Sequence, residues 1–453
     1  MSRTQAWCVA AGVSVLAATA AAQTQPTIPY ERMKLDNGLS VILHHDARLP
    51  LVAVSVWYDV GGISEKAGRS GFAHLFEHMM FQATLNVPED QFFAMLEQAG
   101  GTNLNGTTSW DRTNYFETVP SHQLELALWL ESERMGYLLP AVTTKSLANQ
   151  IEVVTNERRQ SVENAPYGLV EEAMTQALFP KPHPYYGNVI GSQADIAAAT
   201  LPDVQDFFLT YYSPANATLA IGGAYDPATI KELVQKYFGP LKGRFKVSRP
   251  SVTVPKLTTE QVLALEEPVA TLARVSFAWI VPPAFAPGTA ELELLAHVIS
   301  GTKSSRLDAK VAYQDPMVQS VSAYLDERIG GSVFQIDMTL KPGRTPEEAK
   351  AAADGVLNEL RTSKPPTEAE LRRAVNAKLT AKIAGLEKLG SYNGRLEELQ
   401  AYNHYLGDPG SLGWDLDRFK KVTVADLSKA LNEHLGSARL VVFATPKVKQ
   451  VAP

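Results

Sequence analysis

The residues best placed to do chemistry are His74 and His78, four apart in the run His74-Leu75-Phe76-Glu77-His78. On a helix, positions i and i+4 share a face, so the two imidazoles can converge on one divalent ion. Glu77 lies three residues after His74, on the same side, where it can take a proton from an attacking water. This His-x-x-Glu-His order inverts the commoner zinc-protease helix motif and is a signature in its own right. A catalytic zinc takes a third protein ligand and leaves one position open. The stretch from Gln150 to Arg159 offers two candidates, Glu152 and Glu157, and spacing alone does not choose between them. Thiolate ligands are excluded, because the only cysteine, Cys8, falls in an apparent leader and leaves the mature chain without a thiol.

The elements that must position these groups follow from periodicity. Phe72, Leu75, Phe76 and Met79 recur at helical spacing, which predicts a helix beginning near Ser70-Gly71. Upstream, Asn37-Gly38 between alternating apolar residues predicts a β-hairpin, and 51–60 reads as a buried strand. Downstream, a helix is predicted at 88–98, ended by Gly100-Gly101. The Thr- and Asn-rich segment up to Val119, with Trp110, Tyr115 and Phe116, reads as two exposed or edge strands. Helices at 124–136 and 144–164, a strand at 217–221 and a helix at 227–238 complete a first half.

Between 240 and 257 Pro, Lys and Arg accumulate and the apolar period lapses, as in a linker. The order of elements then restarts: a strand at 270–280, a helix at 290–299, strands at 318–325 and 333–340, helices at 346–361 and 368–386, and a strand at 439–444. This repetition suggests an internal duplication. The predicted fold class is α+β, two homologous halves, each with helices packed on a mostly antiparallel sheet. The divisions are a signal peptide at 1–22, a metal-binding domain at 27–243, a linker at 244–258 and a second domain at 259–446 that lacks the metal motif.

Composition bounds the possibilities. With 45% hydrophobic and 20% charged residues among 453, the chain has the make-up of a folded protein with a large core. A formal charge of -6 without a basic block argues against nucleic acid as the main partner. Met1-Ser2-Arg3, the apolar run to Ala22 and the small residues at 20–22 match a cleaved secretory signal, and no later run reaches the roughly 20 apolar residues of a membrane-spanning helix. The expectation is a periplasmic protein, or one secreted beyond, with no membrane anchor after signal cleavage.

His74 to His78, followed some 80 residues later by Val153-Val154-Thr155-Asn156-Glu157, resembles the pitrilysin and insulysin family, which includes the mitochondrial processing peptidases. The resemblance makes Glu157 the third ligand and Glu152 a solvent-facing residue, and implies one zinc ion per chain. Asn105-Gly106-Thr107-Thr108, followed by Asp111-Arg112-Thr113-Asn114-Tyr115-Phe116, resembles the family's substrate-binding edge strand, so Leu104, Asn105, Gly106, Thr107 and Thr108 are its implied substrate contacts. His183-Pro184-Tyr185 through Ile190-Gly191-Ser192, Tyr211-Tyr212-Ser213-Pro214, Tyr237-Phe238-Gly239-Pro240 and Ser304-Ser305-Arg306-Leu307 extend the match over nearly all the mature chain. The family encloses substrate in a chamber between its halves, so short or unfolded peptides are the implied substrates.

The sequence departs from the family in two places. Where the family carries a second glutamate, seven residues before the ligand glutamate, this chain has Gln150, which cannot carry charge or a proton. Where the second half should supply an Arg and a Tyr to steady the tetrahedral intermediate, the matching residues are Ala312 and Gln319. Arg306 and Tyr313 are near in sequence but out of register. The resemblance thus implies a zinc endopeptidase whose missing Arg and Tyr come from a second family-member chain. The alternatives are a non-catalytic peptide-binding or assembly subunit, and a zinc hydrolase acting on a non-peptide bond. His44 and His45 read as surface or turn residues, and His122, His183, His297, His404 and His434 as structural. Trp110, Tyr115 and Phe116 read as strand packing.

Overall fold

A computed structural model describes residues 25–447, so the signal peptide expected at 1–22, with Cys8, lies outside the described residues. The predicted hairpin forms from β1 (Glu31–Lys34) and β2 (Ser40–His45), with Glu31 opposite Leu43. Its turn needs Gly38, whose φ of +92° would strain any other residue. The first half continues through β3 (Leu51–Tyr58), α1 (Phe72–Met79), α2 (Gln91–Gln98), β4 (Thr102–Thr108), β5 (Thr113–Pro120), α3 (Leu124–Gly136) and α4 (Thr144–Arg158). Then come α5 (Gly168–Leu178), α6 (Gln193–Ala197), α7 (Leu201–Tyr211), β6 (Ala217–Gly223) and α8 (Ile230–Phe238).

Among the described residues no helix or strand lies between Phe238 and Gln261, the stretch read as a linker. The second half holds β7 (Gln261–Glu267), β8 (Arg274–Val281), α9 (Thr289–Ile299), α10 (Arg306–Asp308), β9 (Val318–Asp326) and β10 (Ser332–Leu340). It ends with α11 (Pro346–Arg361), α12 (Glu368–Gly385), α13 (Arg395–Leu406), α14 (Leu412–Lys420), α15 (Val424–His434) and β11 (Leu440–Pro446).

The first sheet runs β1-β2-β6-β3-β5-β4 and the second β7-β11-β8-β10-β9. In each, one parallel pair, β2 with β6 and β7 with β11, sits in an otherwise antiparallel sheet. Setting β1 aside, the two orders are the same, so the duplication is real at the level of topology. The chain is α+β, built as two like halves.

β3 shows how the first sheet is enclosed. Val52, Val54 and Val56 point into a core with Leu75, Phe76, Met79, Leu128 and Phe208. Ala53, on the other face, is buried against Leu396, Leu399 and Tyr402 of α13. The second sheet is treated likewise, with Val170, Met174 and Leu178 of α5 packed on Ala278, Val333 and Val442. Each half therefore lends a helix to the other's sheet.

Several expectations are corrected. Of the two strands expected in the Thr- and Asn-rich segment up to Val119, β4 alone is an edge; β5 is second from the edge and buried along nearly its whole length. His44 is buried rather than at the surface, because the segment before β1 folds over it and places the Pro29 carbonyl 2.7 Å from its Nδ1. The predicted strand at 270–280 begins at Arg274, and Trp110 packs with Tyr185 in the seam between the halves rather than within its own sheet. β7 and helices α5 to α7 and α13 to α15 were absent from the sequence reading.

Candidate metal centre

α1 is fixed by what it buries. Phe76 lies 4.3 Å from Tyr212, centroid to centroid, and Phe72 and Phe76 both meet Phe207. With that stripe inward, His74 and His78 are left half-buried on the flank, their rings 4.8 Å apart.

The start of α1 is tied down tightly. Glu65 accepts hydrogen bonds from the Gly71 and Ala73 amides at 3.0 and 2.9 Å. Ser70 donates to Asp195 through its amide at 3.0 Å, and its hydroxyl accepts from the Ser192 amide at 3.0 Å. Gly71 and Gly191 meet face to face; a Cβ on Gly191 would lie 2.4 Å from the Gly71 Cα, so neither position tolerates a side chain.

α4 brings the third group. Its first turn is capped by Thr143, which accepts from the Ser146 amide at 3.1 Å. Its last residue, Arg158, donates to the Gly191 carbonyl and to Glu172, each at 2.7 Å. Between these anchors Glu157 faces α1, with its carboxylate oxygens 3.6 Å from His74 Nε2 and 3.1 Å from His78 Nε2. Glu152 points to solvent. Of the two open candidates, geometry therefore brings Glu157 to the histidines. Gln150, two turns earlier on α4, is buried.

One ligand atom from each of His74, His78 and Glu157 lies within 4.8 Å of the others, the only such metal-suited cluster among the described residues. Burial depresses the His74 pKa to about 4, against the pull of Glu157, and so keeps that imidazole in the neutral form a metal requires. Glu157 is held below the usual carboxylate range, first by its hydrogen bond with His78.

Glu77 sits beside this cluster, 9% exposed, and faces β4. Its Oε2 accepts a hydrogen bond from Thr108 Oγ1 at 2.6 Å. Burial raises its pKa although the Thr108 bond opposes that, so the carboxylate has a heightened affinity for a proton. Gly106 approaches from the same face; a Cβ there would lie 3.0 Å from Glu77 Oε1 and from Phe81. Sequence reading placed Thr108 only on a substrate strand. Its bond to Glu77 was hidden, as was the capping role of Glu65, since neither belongs to a spacing motif.

The remaining implied contacts share β4. Gly106 and Thr108 face Glu77, while Asn105 and Thr107 face the opposite side and Leu104 is half-buried. Gln319, on β9, is exposed, and Ala312, in the helical stretch 309–314 that continues α10, is half-buried. Arg306 is committed to Glu370, at 2.9 Å for one of its two contacts, and Tyr313 is turned to solvent.

Comparison with known proteins gives two matches to domains of one family. The domain described as "Insulinase (Peptidase family M16)" matches residues 40–184, which contain His74, Glu77, His78 and Glu157. The "Peptidase M16 inactive domain" matches residues 198–378, most of which lie in the half without the motif. Zinc protease PqqE of Helicobacter pylori is 27% identical over 441 residues, 96% of this chain and 97% of that protein. The crystal structure of a protease from Helicobacter pylori, 26% identical, superposes with a TM-score of 0.86 over 93% of this chain and all of that one. A peptidase M16 inactive domain from Pseudomonas fluorescens, at 18% identity and a TM-score of 0.81, covers 93% of this chain and 98% of its own and shares the fold.

Proposed function

This chain belongs to the insulinase family of peptidases (M16), and from that premise we propose that it is a zinc-dependent endopeptidase, the metal-holding subunit of a two-chain enzyme. The observation that carries the proposal is the convergence of His74, His78 and Glu157, with Glu77 beside them and the free edge of β4 alongside. Two imidazole nitrogens and one carboxylate are the donor set a catalytic zinc takes, so the residues fit the ion. When bound there, zinc supplies Lewis acidity, polarising a carbonyl and acidifying a water.

The chain's own residues supply the rest. Thr108 occupies Glu77 Oε2, which leaves Oε1 to accept the proton of the attacking water and return it to the leaving amine nitrogen. An extended peptide adds to the outer edge of β4 by main-chain hydrogen bonds, a mode that asks little of its sequence and suits short or unfolded substrates. Gly106 keeps the space between that strand and Glu77 clear. Gly106→Val is therefore expected to lower kcat about tenfold or more through displacement of Glu77, with zinc content unchanged by elemental analysis.

The divided site rests on Ala312 and Gln319, which stand where an Arg and a Tyr would steady the developing oxyanion. Arg306 cannot replace them while it is paired with Glu370. The same two positions favour the second reading, a non-catalytic peptide-binding or assembly subunit. The leader supports export to the periplasm.

The test is zinc-dependent cleavage of a quenched fluorescent peptide mixture by the mature chain, alone and with a family member from a neighbouring gene. Cleavage only with the partner, abolished by a chelator and restored by zinc, is the expected result. Activity of the lone chain would sink the two-chain part, and peptide binding without cleavage in either case would favour the second reading.

A further inference from the structure

The free edge of β4 has two faces, and the metal centre accounts for one. Residues alternate along a strand, so Gly106 and Thr108 face Glu77 while Asn105 and Thr107 look to the side covered by α13. There, Asn105 is opposite Phe116 and Thr107 opposite Asn114. Asn114 and Trp57 on this side both donate to Glu397 of α13, each at 2.9 Å.

The segment linking α12 to α13 is laid across this second face. At Gly390 a Cβ would lie 2.7 Å from Thr118 Oγ1 and 2.8 Å from Ala53 Cβ, so the backbone itself rests on the sheet. Ser391 and Asn393 then adopt left-handed conformations, φ +69° and +58°, on either side of Tyr392. Left-handed backbone at two residues that are not glycine stores strain, and such strain clusters at ligand clamps.

What the strain achieves is the placement of one ring. Tyr392 stands edge-on to Phe116 at 5.3 Å, and its hydroxyl accepts a hydrogen bond from Asn105 Nδ2 at 3.0 Å. The residue remains 50% exposed, at the rim of the edge strand. A bulge in β4 between Thr102 and Asn105, with Asn103 at φ +54°, sits just before the contact.

We propose that Tyr392 and Asn105 form a specificity subsite for a large apolar or aromatic substrate side chain, on the face of β4 opposite the metal centre. The inference rests on the peptide-binding reading of β4 given above. A peptide residue added opposite Asn105 turns its side chain onto the exposed face of Tyr392, while the next residue, opposite Gly106, turns toward Glu77. The subsite thus reads the neighbour of the residue that faces the metal centre. Arg112, whose guanidinium donates to the Thr107 carbonyl at 3.2 Å and to Asn114 Oδ1 at 2.8 Å, adds positive charge nearby and disfavours Lys or Arg at that position.

The experiment uses the zinc-loaded mature chain carrying Glu77→Gln, so that binding is read without cleavage, alone and with its partner. Labelled extended peptides bearing Phe, Ala or Lys at each position in turn are titrated by fluorescence anisotropy. At one position Phe is expected to bind about three- to tenfold tighter than Ala, with Lys weakest. Tyr392→Ala is expected to level that preference, and Tyr392→Phe to keep it, since the ring does the recognising. A preference that survives Tyr392→Ala, or a loss spread evenly over all peptides, overturns the subsite alone. Failure of every peptide to bind overturns the reading of β4 as a substrate strand, and the subsite with it.

Discussion

Glu77→Gln is expected to lower kcat by about 10²- to 10⁴-fold while zinc content stays at the level of the unaltered chain. The amide keeps the shape of the carboxylate and can still accept from Thr108, so the packing of α1 against β4 is preserved. What it loses is the capacity to take a proton. Burial has already raised the affinity of the Glu77 carboxylate for a proton, which is the property of a base that must hold one briefly and hand it on. The same burial makes the charged form costly in the folded state. Glutamine removes that cost, and the variant is expected to melt no lower than the parent, as often happens when an active-site charge is neutralised. Turnover on a quenched peptide, zinc by elemental analysis and thermal unfolding check the three parts together. Near-normal turnover would remove Glu77 from the chemistry, and loss of zinc would make it a support of the metal site instead.

How much of this was legible in the sequence depended on whether a feature was periodic. α1 could be read because its apolar stripe and its His-x-x-Glu-His face both follow the helical repeat. α3 and α11 matched residue for residue, since α3 is a run of helix formers set between Pro120 and Gly136 and α11 opens with a capping box at Thr345. Glu152 and Glu157 are five residues apart, about 140° around a helix, so they point to different sides. Which side met the histidines depended on the packing of α4 against α1, which a single sequence does not contain.

The exchange of α5 and α13 between the halves was not legible for a related reason. α13 seats Gln400 and Glu397 on the first sheet, with Gln400 donating to the Ser55 and Thr218 carbonyls at 3.0 and 2.9 Å. A helix that buries polar residues to satisfy a strand backbone shows little apolar period. Tyr392 was hidden too, because a strained loop residue carries no pattern at all.

Arg134→Met is expected to destabilise the protein by about 3–5 kcal/mol. Arg134, on α3, is wholly buried, paired with Glu131 one turn earlier and 3.6 Å from Glu117 on β5. Its guanidinium lies over the rings of Phe92, Tyr115 and Phe81, at 4.1, 4.5 and 5.0 Å. Burial, reinforced by the charge of Glu131, pushes the Glu117 carboxyl well above the usual range. Removing the arginine leaves two carboxyl groups together with no cation, and the folded state must then hold protons that the unfolded chain releases. A folded state that binds more protons than the unfolded one loses stability as pH rises, so the deficit of the Met variant should widen from about pH 4 upward. Replacing Glu131 and Glu117 with glutamine in the Arg134→Met background is expected to recover most of the loss, because the cost lies in unpaired charge rather than lost volume. The expected consequence reaches the site as well. Phe81 would touch a Cβ at Gly106, so slack beneath Phe81 loosens β4 against Glu77. Urea unfolding at several pH values, with kcat measured on each variant, separates the two effects: an Arg134→Met chain as stable as the parent at pH 8 would mean the buried charges are dispensable to the fold.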